Sequence, residues 1–228
     1  MTRPSSGYPT SAIVYTGLIT IDSILGNNKW WQSSSKEAVT LSYSFPWTTS
    51  DVASFLGPDG STSTYSKWGE LDAEFYFGLN EVEQNAFKDS LIKWSSVANI
   101  TFSEINETSS NVGVIRVAFS SADGLQDNWG WAYTPNNYYS TGGDIWINAD
   151  YAYDDKNWGA GSSNYESLLH ESGHTLGLTH SFEGENKLPT VYESTKYTVM
   201  SYTDRKDNTY VELVNNRWQL YDVYNSTP

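Results

Sequence analysis

Three short segments of the chain have the apolar and polar pattern of β-strands. Val39–Phe45 alternates between apolar and polar positions, as a half-buried strand does, and Pro46 ends it. Val112–Phe119 is mostly apolar, which is typical of a central strand with little exposed surface. Asp144–Asn148 is a further predicted strand. These segments predict the sheet of the fold.

Two longer segments have the spacing of helices. The first runs from Glu81 to Ala98, with Asn80 as its expected N-cap. Its apolar positions are Val82, Ala86, Phe87, Leu91, Trp94 and Val97. The second helix is predicted over Tyr165–Leu176, with Asn164 as its expected N-cap. Helices packed on one side of a mixed, twisted sheet satisfy this order and predict an α+β fold.

The composition is that of an acidic domain with a sizeable core. The chain has 228 residues, of which 38% are hydrophobic. Its net charge of −14 argues against nucleic acid as a partner, because phosphate binding needs basic patches. No apolar run approaches the ~18 residues of a transmembrane helix, and the N-terminal residues lack the apolar core of a signal peptide, so we expect no membrane partner. Cysteine is absent, which excludes disulfides and thiol catalysis.

All three histidines of the chain lie within residues 170–180. His170 and His174 are four residues apart, so on a helix both imidazoles emerge on one face, within reach of one ion. A catalytic zinc ion takes three protein ligands and keeps one position open for water. Gly177 can adopt the left-handed conformation that ends a helix, and a turn there would bring back His180 as the third ligand.

Glu171 is the expected general base of this site. It would point about 100° around the helix from His170, to the side of the metal rather than at it. From there it can take a proton from a zinc-bound water, whose pKa the ion lowers to roughly 7. The alternative is a purely structural zinc site, which is usually closed by four protein ligands, mostly cysteines. Because the chain has no cysteine, the pattern favours catalysis.

A second motif, Tyr197–Tyr202, follows the histidines. With it the chain resembles the metzincin metalloproteases, whose zinc helix is followed by a methionine-containing turn beneath the metal. We call residues 197–202 the Met-turn, and the resemblance implies that Met200 lies under the zinc site. In the serralysin and astacin branches, a tyrosine two residues after this methionine is an additional zinc ligand that swings away to stabilise the tetrahedral intermediate. The resemblance therefore implies a metal-binding and a catalytic role for Tyr202, with an ordinary packed tyrosine as the alternative.

The resemblance to serralysins extends over roughly residues 20–223, and it implies a fold and a cleft. The fold would be a metzincin-type zinc protease domain, with a twisted, mixed five-stranded sheet, a long zinc-binding helix and a Met-turn. The segment 142–148 matches the strand at the lower edge of the family's cleft, and 131–133 would form the opposing rim. We expect an extended peptide to lie antiparallel to Asp144–Asn148. The expected substrate contacts are Ala132, Tyr133, Asp144 and Trp146.

Some features depart from the serralysin pattern. Ser181 follows the third histidine, as in matrixins, where serralysins usually have proline. The calcium-binding Gly-Gly-x-Gly-x-Asp repeats of typical serralysins do not occur in this sequence, so Ca²⁺ binding has no motif to support it. Arg217–Val223 resembles the opening of the family's C-terminal helix, shortly before the last residue. The expected division is an N-terminal extension (1–20) and a catalytic domain (21–228) with a truncated C-terminal helix.

The resulting prediction is a zinc-dependent endopeptidase that hydrolyses extended or unfolded protein substrates. The resemblance implies a secreted protein, which we expect to be a monomer and which a proteinaceous inhibitor could target. The competing hypothesis is a catalytically dormant, metzincin-like module for zinc binding or protein interaction. A truncated C-terminal helix favours that hypothesis, whereas the intact base and ligands oppose it.

Overall fold

The computed structural model describes residues 8–32, 37–46, 54–56, 62–64, 76–108, 111–121, 128–137, 141–152, 158–204, 209–214 and 217–222. None of the helices in these ranges combines the length and the apolar composition that a membrane span requires. In chain order the elements are β1 (Thr10–Ala12), α1 (Ile19–Asp22), β2 (Asn28–Trp30), β3 (Val39–Ser44), β4 (Ser54–Leu56), β5 (Thr62–Thr64), β6 (Tyr76–Phe77), α2 (Glu81–Val97), β7 (Ile100–Glu104), β8 (Ile115–Ser120), β9 (Gly130–Ala132), β10 (Asp144–Asn148), a 3₁₀ turn (Ala149–Tyr151), α3 (Ser163–Thr175), β11 (Thr209–Val214) and β12 (Arg217–Asp222).

A mixed sheet forms the centre of the fold. Five strands lie in the order β7-β3-β8-β10-β9, and the two-residue strand β6 pairs with the end of β8 as a sixth. The first four strands of this order run parallel, while the outermost strand, β9, runs antiparallel to β10. The predicted α+β class with a mixed sheet is confirmed, and β6 is added to the five strands that were expected.

Helix α2 packs on this sheet through one face. Its N-terminus has the predicted cap: the Asn80 side chain accepts a hydrogen bond from the Glu83 amide (3.1 Å), and the Glu83 carboxylate accepts one from the Asn80 amide (2.7 Å). This reciprocal pair satisfies two amides that the helix leaves without partners. The core positions Ala86, Phe87 and Leu91 are buried, whereas Val82 and Val97, in the first and last turns, are exposed.

Helix α3 contacts both α2 and the strands β9 and β10, so the two helices share one face of the sheet. It begins earlier than predicted. Ser162, not Asn164, is the N-cap, and its hydroxyl accepts a hydrogen bond from the Tyr165 amide (3.2 Å). Asn164 lies inside the first turn, where its side-chain oxygen accepts a hydrogen bond from the Trp129 indole (2.9 Å). Serine and asparagine are both common N-cap residues, so the sequence offers two candidates. The contact with Trp129 explains why an asparagine stands inside the first turn.

The end of the described chain differs from the expected helix. Thr209–Val214 and Arg217–Asp222 form an antiparallel hairpin, and Val223 lies outside the described residues. The register places Val211 opposite Leu220 and Leu213 opposite Trp218. Apolar positions at a spacing of two on both strands therefore coincide, which is the pattern of a hairpin and not of a helix.

Candidate metal centre and active site

The first two histidines project from the buried part of α3. The Nε2 atoms of His170 and His174 lie 3.1 Å apart, one helical turn from each other along the same face. The ring centroids are 4.7 Å apart and the rings are nearly perpendicular. The helix alone therefore brings two nitrogen donors to one point.

The third histidine returns to this point because the helix ends in a tight turn at Gly177. The Leu178 amide donates a hydrogen bond to the Gly173 carbonyl (3.0 Å), and the Gly177 amide donates one to the His174 carbonyl (3.0 Å). These two bonds define a Schellman motif, which needs the left-handed conformation that Gly177 adopts, at φ 102°. Beyond the turn, the Nε2 atom of His180 lies 3.1 Å from that of His174.

Protein oxygens orient the three imidazoles through their other nitrogen, Nδ1. The Nδ1 groups of His170 and His174 lie 2.7 and 3.0 Å from backbone carbonyl oxygens, which only accept hydrogen bonds, so each Nδ1 carries a proton and leaves the Nε2 lone pair free. For the third imidazole, a carboxylate oxygen lies 3.0 Å away in a close contact rather than an aligned hydrogen bond. In the order His170, His174 and His180, the partners are Val199, Leu178 and Glu183.

This donor set fits a zinc ion. The ligand atoms of the three histidines all lie within 4.8 Å of one another. Burial, together with the neighbouring His174, lowers the pKa of His170 to about 3, and burial also lowers the pKa of His174, so both rings are neutral as metal ligands must be. Converging lone pairs repel one another unless a cation lies among them, and three imidazole nitrogens are a common catalytic set for Zn²⁺. The three histidines could hold such an ion.

Met200 is fully buried and packs against α3 beside His174. A Cβ atom added at Gly173, in the middle of α3, would come within 2.7 Å of its sulfur and within 3.2 Å of the Trp94 ring. The Met-turn therefore packs directly against the helix at the one residue whose missing side chain leaves room for it. The turn also supplies the Val199 carbonyl that orients His170.

Glu171 lies beside the histidines and is buried between α3 and β9. Burial raises the pKa of its carboxyl group to about 8. A Cβ atom at Gly130 would lie 3.4 Å from the Glu171 side chain and 3.0 Å from the Trp146 carbonyl oxygen. The glycine thus gives the carboxyl group its space under the edge strand.

Tyr202 lies against the rings of His170 and His180. Its hydroxyl oxygen lies 2.8 Å from Nε2 of His180, and its ring stacks on that of His170 at 5.2 Å between centroids. Although 63% of the residue is exposed, it is partly desolvated and lies near the carboxylates of Glu171 and Glu183. These effects, burial first, raise the pKa of Tyr202 to about 12.

Glu171, His174, His180 and Tyr202 line a cleft of about 350 Å³. One wall is the outermost strand, β9, and the segment after it. The floor and the far wall come from α3, the residues after its C-terminus and the Met-turn. The lining residues are Asn128, Gly130, Trp131, Ala132, Thr134, Glu171, His174, Leu178, Thr179, His180, Glu183 and Tyr202.

A sequence model of the matrixin family (Peptidase_M10: Matrixin) matches residues 73–212, which include every site residue described above. This range is more than half of the chain. The chain belongs to the matrixin family. Membership implies zinc, and it confirms the predicted metzincin domain.

Serralysins are also similar to this matrixin-family chain. A serralysin of Photorhabdus sp. (strain Az29) is 30% identical over 164 residues, which cover 67% of this chain and 32% of that protein. A serralysin of Proteus mirabilis is 31% identical over 187 residues, covering 64% and 34%. Serralysin A of Dickeya chrysanthemi is 27% identical over 212 residues, covering 89% and 39%. The chain thus spans about a third of the length of these relatives, and the expected serralysin-like character is confirmed.

The prediction that an extended peptide binds along Asp144–Asn148 of this matrixin-family domain was wrong. β10 (Asp144–Asn148) is paired with β8 on one side and β9 on the other, so it has no free edge for a peptide. Asp144 and Trp146 are buried accordingly. Of the four expected contacts only Ala132 lines the cleft, while the Tyr133 amide donates a hydrogen bond to the Asp144 carbonyl (2.8 Å). Among the described residues, β9 is the outermost strand on this side of the sheet.

Sequence reasoning also missed four residues at the site. Gly130 and Gly173 leave space for Glu171 and Met200, and a glycine inside a predicted helix was a visible signal for Gly173. Glu183 lies three residues after His180, a spacing that could have suggested a partner for its ring. Glu193 contacts Ser181, which follows His180, and Ser201 and Thr203, which flank Tyr202, and nothing in its local sequence marks it.

Proposed function

We propose that this chain is a zinc-dependent endopeptidase that hydrolyses peptide bonds in extended or unfolded protein substrates. The observation that carries the proposal is a buried carboxyl group, Glu171, beside three converging imidazole nitrogens in a cleft lined by β9, the outermost described strand on this side of the sheet. When bound, zinc would supply Lewis-acid polarisation of the scissile carbonyl and would make water a better nucleophile at neutral pH.

Glu171 accepts the proton of the attacking water and later delivers it to the leaving amine. Its raised pKa, which follows from burial, suits a group that takes up and releases a proton near neutral pH. Its place under Gly130 fixes the carboxyl group at the wall of the cleft where the substrate backbone passes.

Tyr202 has two roles in this proposal. Its hydroxyl oxygen lies 2.8 Å from Nε2 of His180, which supports a role as a further metal ligand in the resting site. With its pKa raised to about 12 it stays protonated, so it can donate a hydrogen bond to the oxyanion of the tetrahedral intermediate.

The substrate lies along β9 (Gly130–Ala132), whose outer edge has no partner strand among the described residues. Main-chain hydrogen bonds to such an edge accept many sequences, which is why we propose extended polypeptide as the substrate class. The resemblance to serralysins supports the proposal that the protein is secreted.

Cleavage of an unstructured protein such as casein tests this proposal. We expect the zinc-loaded chain to cleave casein and Glu171→Gln to lose about 10²- to 10⁴-fold in rate while it retains zinc. Glu166→Gln, an exposed glutamate on the same helix, is the matched control and should retain activity. A folded, zinc-loaded parent chain that cleaves nothing would contradict the proposal and favour a dormant zinc-binding module.

A further inference from the structure

Glu193 is a buried carboxylate that lies outside the reaction centre but contacts both segments that complete it. Its Oε1 atom accepts hydrogen bonds from the Ser181 hydroxyl (3.2 Å) and the Ser201 hydroxyl, and its Oε2 atom accepts one from the Thr203 hydroxyl. Only 9% of the residue is exposed. Three hydroxyl groups from two different segments therefore point at one side chain.

The three hydroxyl groups belong to immediate neighbours of the site residues. Ser181 follows His180, while Ser201 and Thr203 stand on either side of Tyr202. The carboxylate is thus bonded to both residues that flank the tyrosine. Next to the third histidine, His180, the carboxylate is bonded to the following residue, Ser181.

The three hydroxyl groups donate to Glu193 as an ionised carboxylate. Burial alone would raise the pKa of Glu193, but the hydrogen bonds from Ser201, Thr203 and Ser181 outweigh burial and hold its pKa below the usual range. An ionised carboxylate only accepts hydrogen bonds, so each hydroxyl must turn its proton inward. Charge-assisted hydrogen bonds of this kind are stronger than those between neutral groups.

The two connected segments differ in how much they depend on this carboxylate. The backbone after His180 is fixed independently: the Ser181 amide donates to the Met200 carbonyl (3.1 Å), and the Ser181 carbonyl accepts from the Leu188 amide (2.7 Å). The backbone around Tyr202 has one short bond of its own, from the Thr195 amide to the Thr203 carbonyl (2.8 Å), while the Ser201 amide reaches the Thr198 carbonyl only at 3.4 Å. The Thr203 amide donates instead to the Ser201 hydroxyl (3.0 Å), which is itself bonded to Glu193. Loss of the carboxylate should therefore affect the tyrosine more than the histidine.

We propose that Glu193 is a positioning residue that holds the Tyr202 hydroxyl group against the metal centre and affects zinc binding and turnover through that tyrosine. This inference rests on the proposed function for its kinetic consequences. Its consequence for zinc binding does not require that the protein cleave anything.

A double-mutant cycle of Glu193→Gln and Tyr202→Phe tests the proposal. Zinc affinity is measured by chelator competition, and casein hydrolysis gives kcat and KM. We expect Glu193→Gln alone to lower zinc affinity about tenfold and kcat about tenfold, with little change in KM. In the Tyr202→Phe background the same substitution should change either quantity less than about twofold. Glu83→Gln, which removes a buried carboxylate from the cap of α2, is the matched control and should leave both unchanged.

The outcomes separate a positioning role from a merely structural one. Equal effects of Glu193→Gln in both backgrounds would show a general loss of stability and would overturn the proposal. So would Tyr202→Phe without effect on zinc affinity, because there would then be no contact to position. A parent chain that binds zinc but is inactive refutes the proposed function, and the zinc-affinity cycle still decides the role of Glu193.

Discussion

The two halves of the metal centre are held by different kinds of contact. His170 and His174 lie on α3, where the helical repeat alone sets their separation. His180 and Tyr202 lie on segments without helix or strand, and long-range hydrogen bonds to side chains and carbonyls hold them in place. One half of the site is therefore specified by spacing along the chain, and the other half by packing between distant segments.

The junction between the two halves is Gly177, and its substitution should have the largest effect. An alanine there would be strained in the left-handed conformation, at a cost of about 1–2 kcal/mol, and its Cβ atom would collide with the Asn28 carbonyl oxygen. We expect Gly177→Ala to lower the free energy of unfolding by about 3 kcal/mol or more. Denaturant titration of the metal-free protein measures this change.

Gly184 is the matched control for that junction. It also has a positive φ, 71°, but a Cβ atom there would meet nothing within 4 Å. Gly184→Ala should therefore show the strain alone, about 1–2 kcal/mol. Equal losses at the two glycines would mean that the close approach to Asn28 contributes nothing to the junction.

The contact between the two halves is the packing of Met200 on Gly173. In an exposed helix, glycine to alanine is stabilising, but here the new methyl group would lie 2.7 Å from the Met200 sulfur. We expect Gly173→Ala to destabilise the fold by about 2 kcal/mol and to weaken zinc binding, because the Met-turn must shift. Ser163→Ala, at an exposed position of the same helix, should be nearly neutral. A stabilised Gly173→Ala variant would show that helix propensity outweighs this contact.

The features that the sequence predicts are those set by local spacing, and the features that it misses are those set by long-range packing. The helix of His170 and His174, the turn at Gly177 and the capped helix α2 all depend on neighbours a few residues away, and their patterns are legible. Family resemblance supplied the place of Met200. Order within the sheet is a non-local property, so nothing in Asp144–Asn148 reveals that a further strand covers its edge.

Two other differences have the same cause. Arg217–Asp222 carries apolar residues that suit either the opening of a helix or a strand, and its pairing with β11 is decided by a segment that the helical interpretation ignored. Glu193 has no local signal because its partners come from Ser181, Ser201 and Thr203, each several residues away in sequence. Side-chain bonds between irregular segments leave no periodic trace.

The smallest predicted effect lies within the irregular half, at Glu183. Its carboxylate oxygen lies 3.0 Å from Nδ1 of His180, whereas the two helical histidines face backbone carbonyls that no substitution removes. We expect Glu183→Gln to weaken zinc binding about tenfold, because outer-sphere carboxylates orient a ligating imidazole and raise its basicity. Glu185→Gln removes the same charge from an exposed position nearby and should change zinc affinity less than about twofold. Equal effects of the two variants would show that only net charge matters, and that His180 is held by the backbone alone.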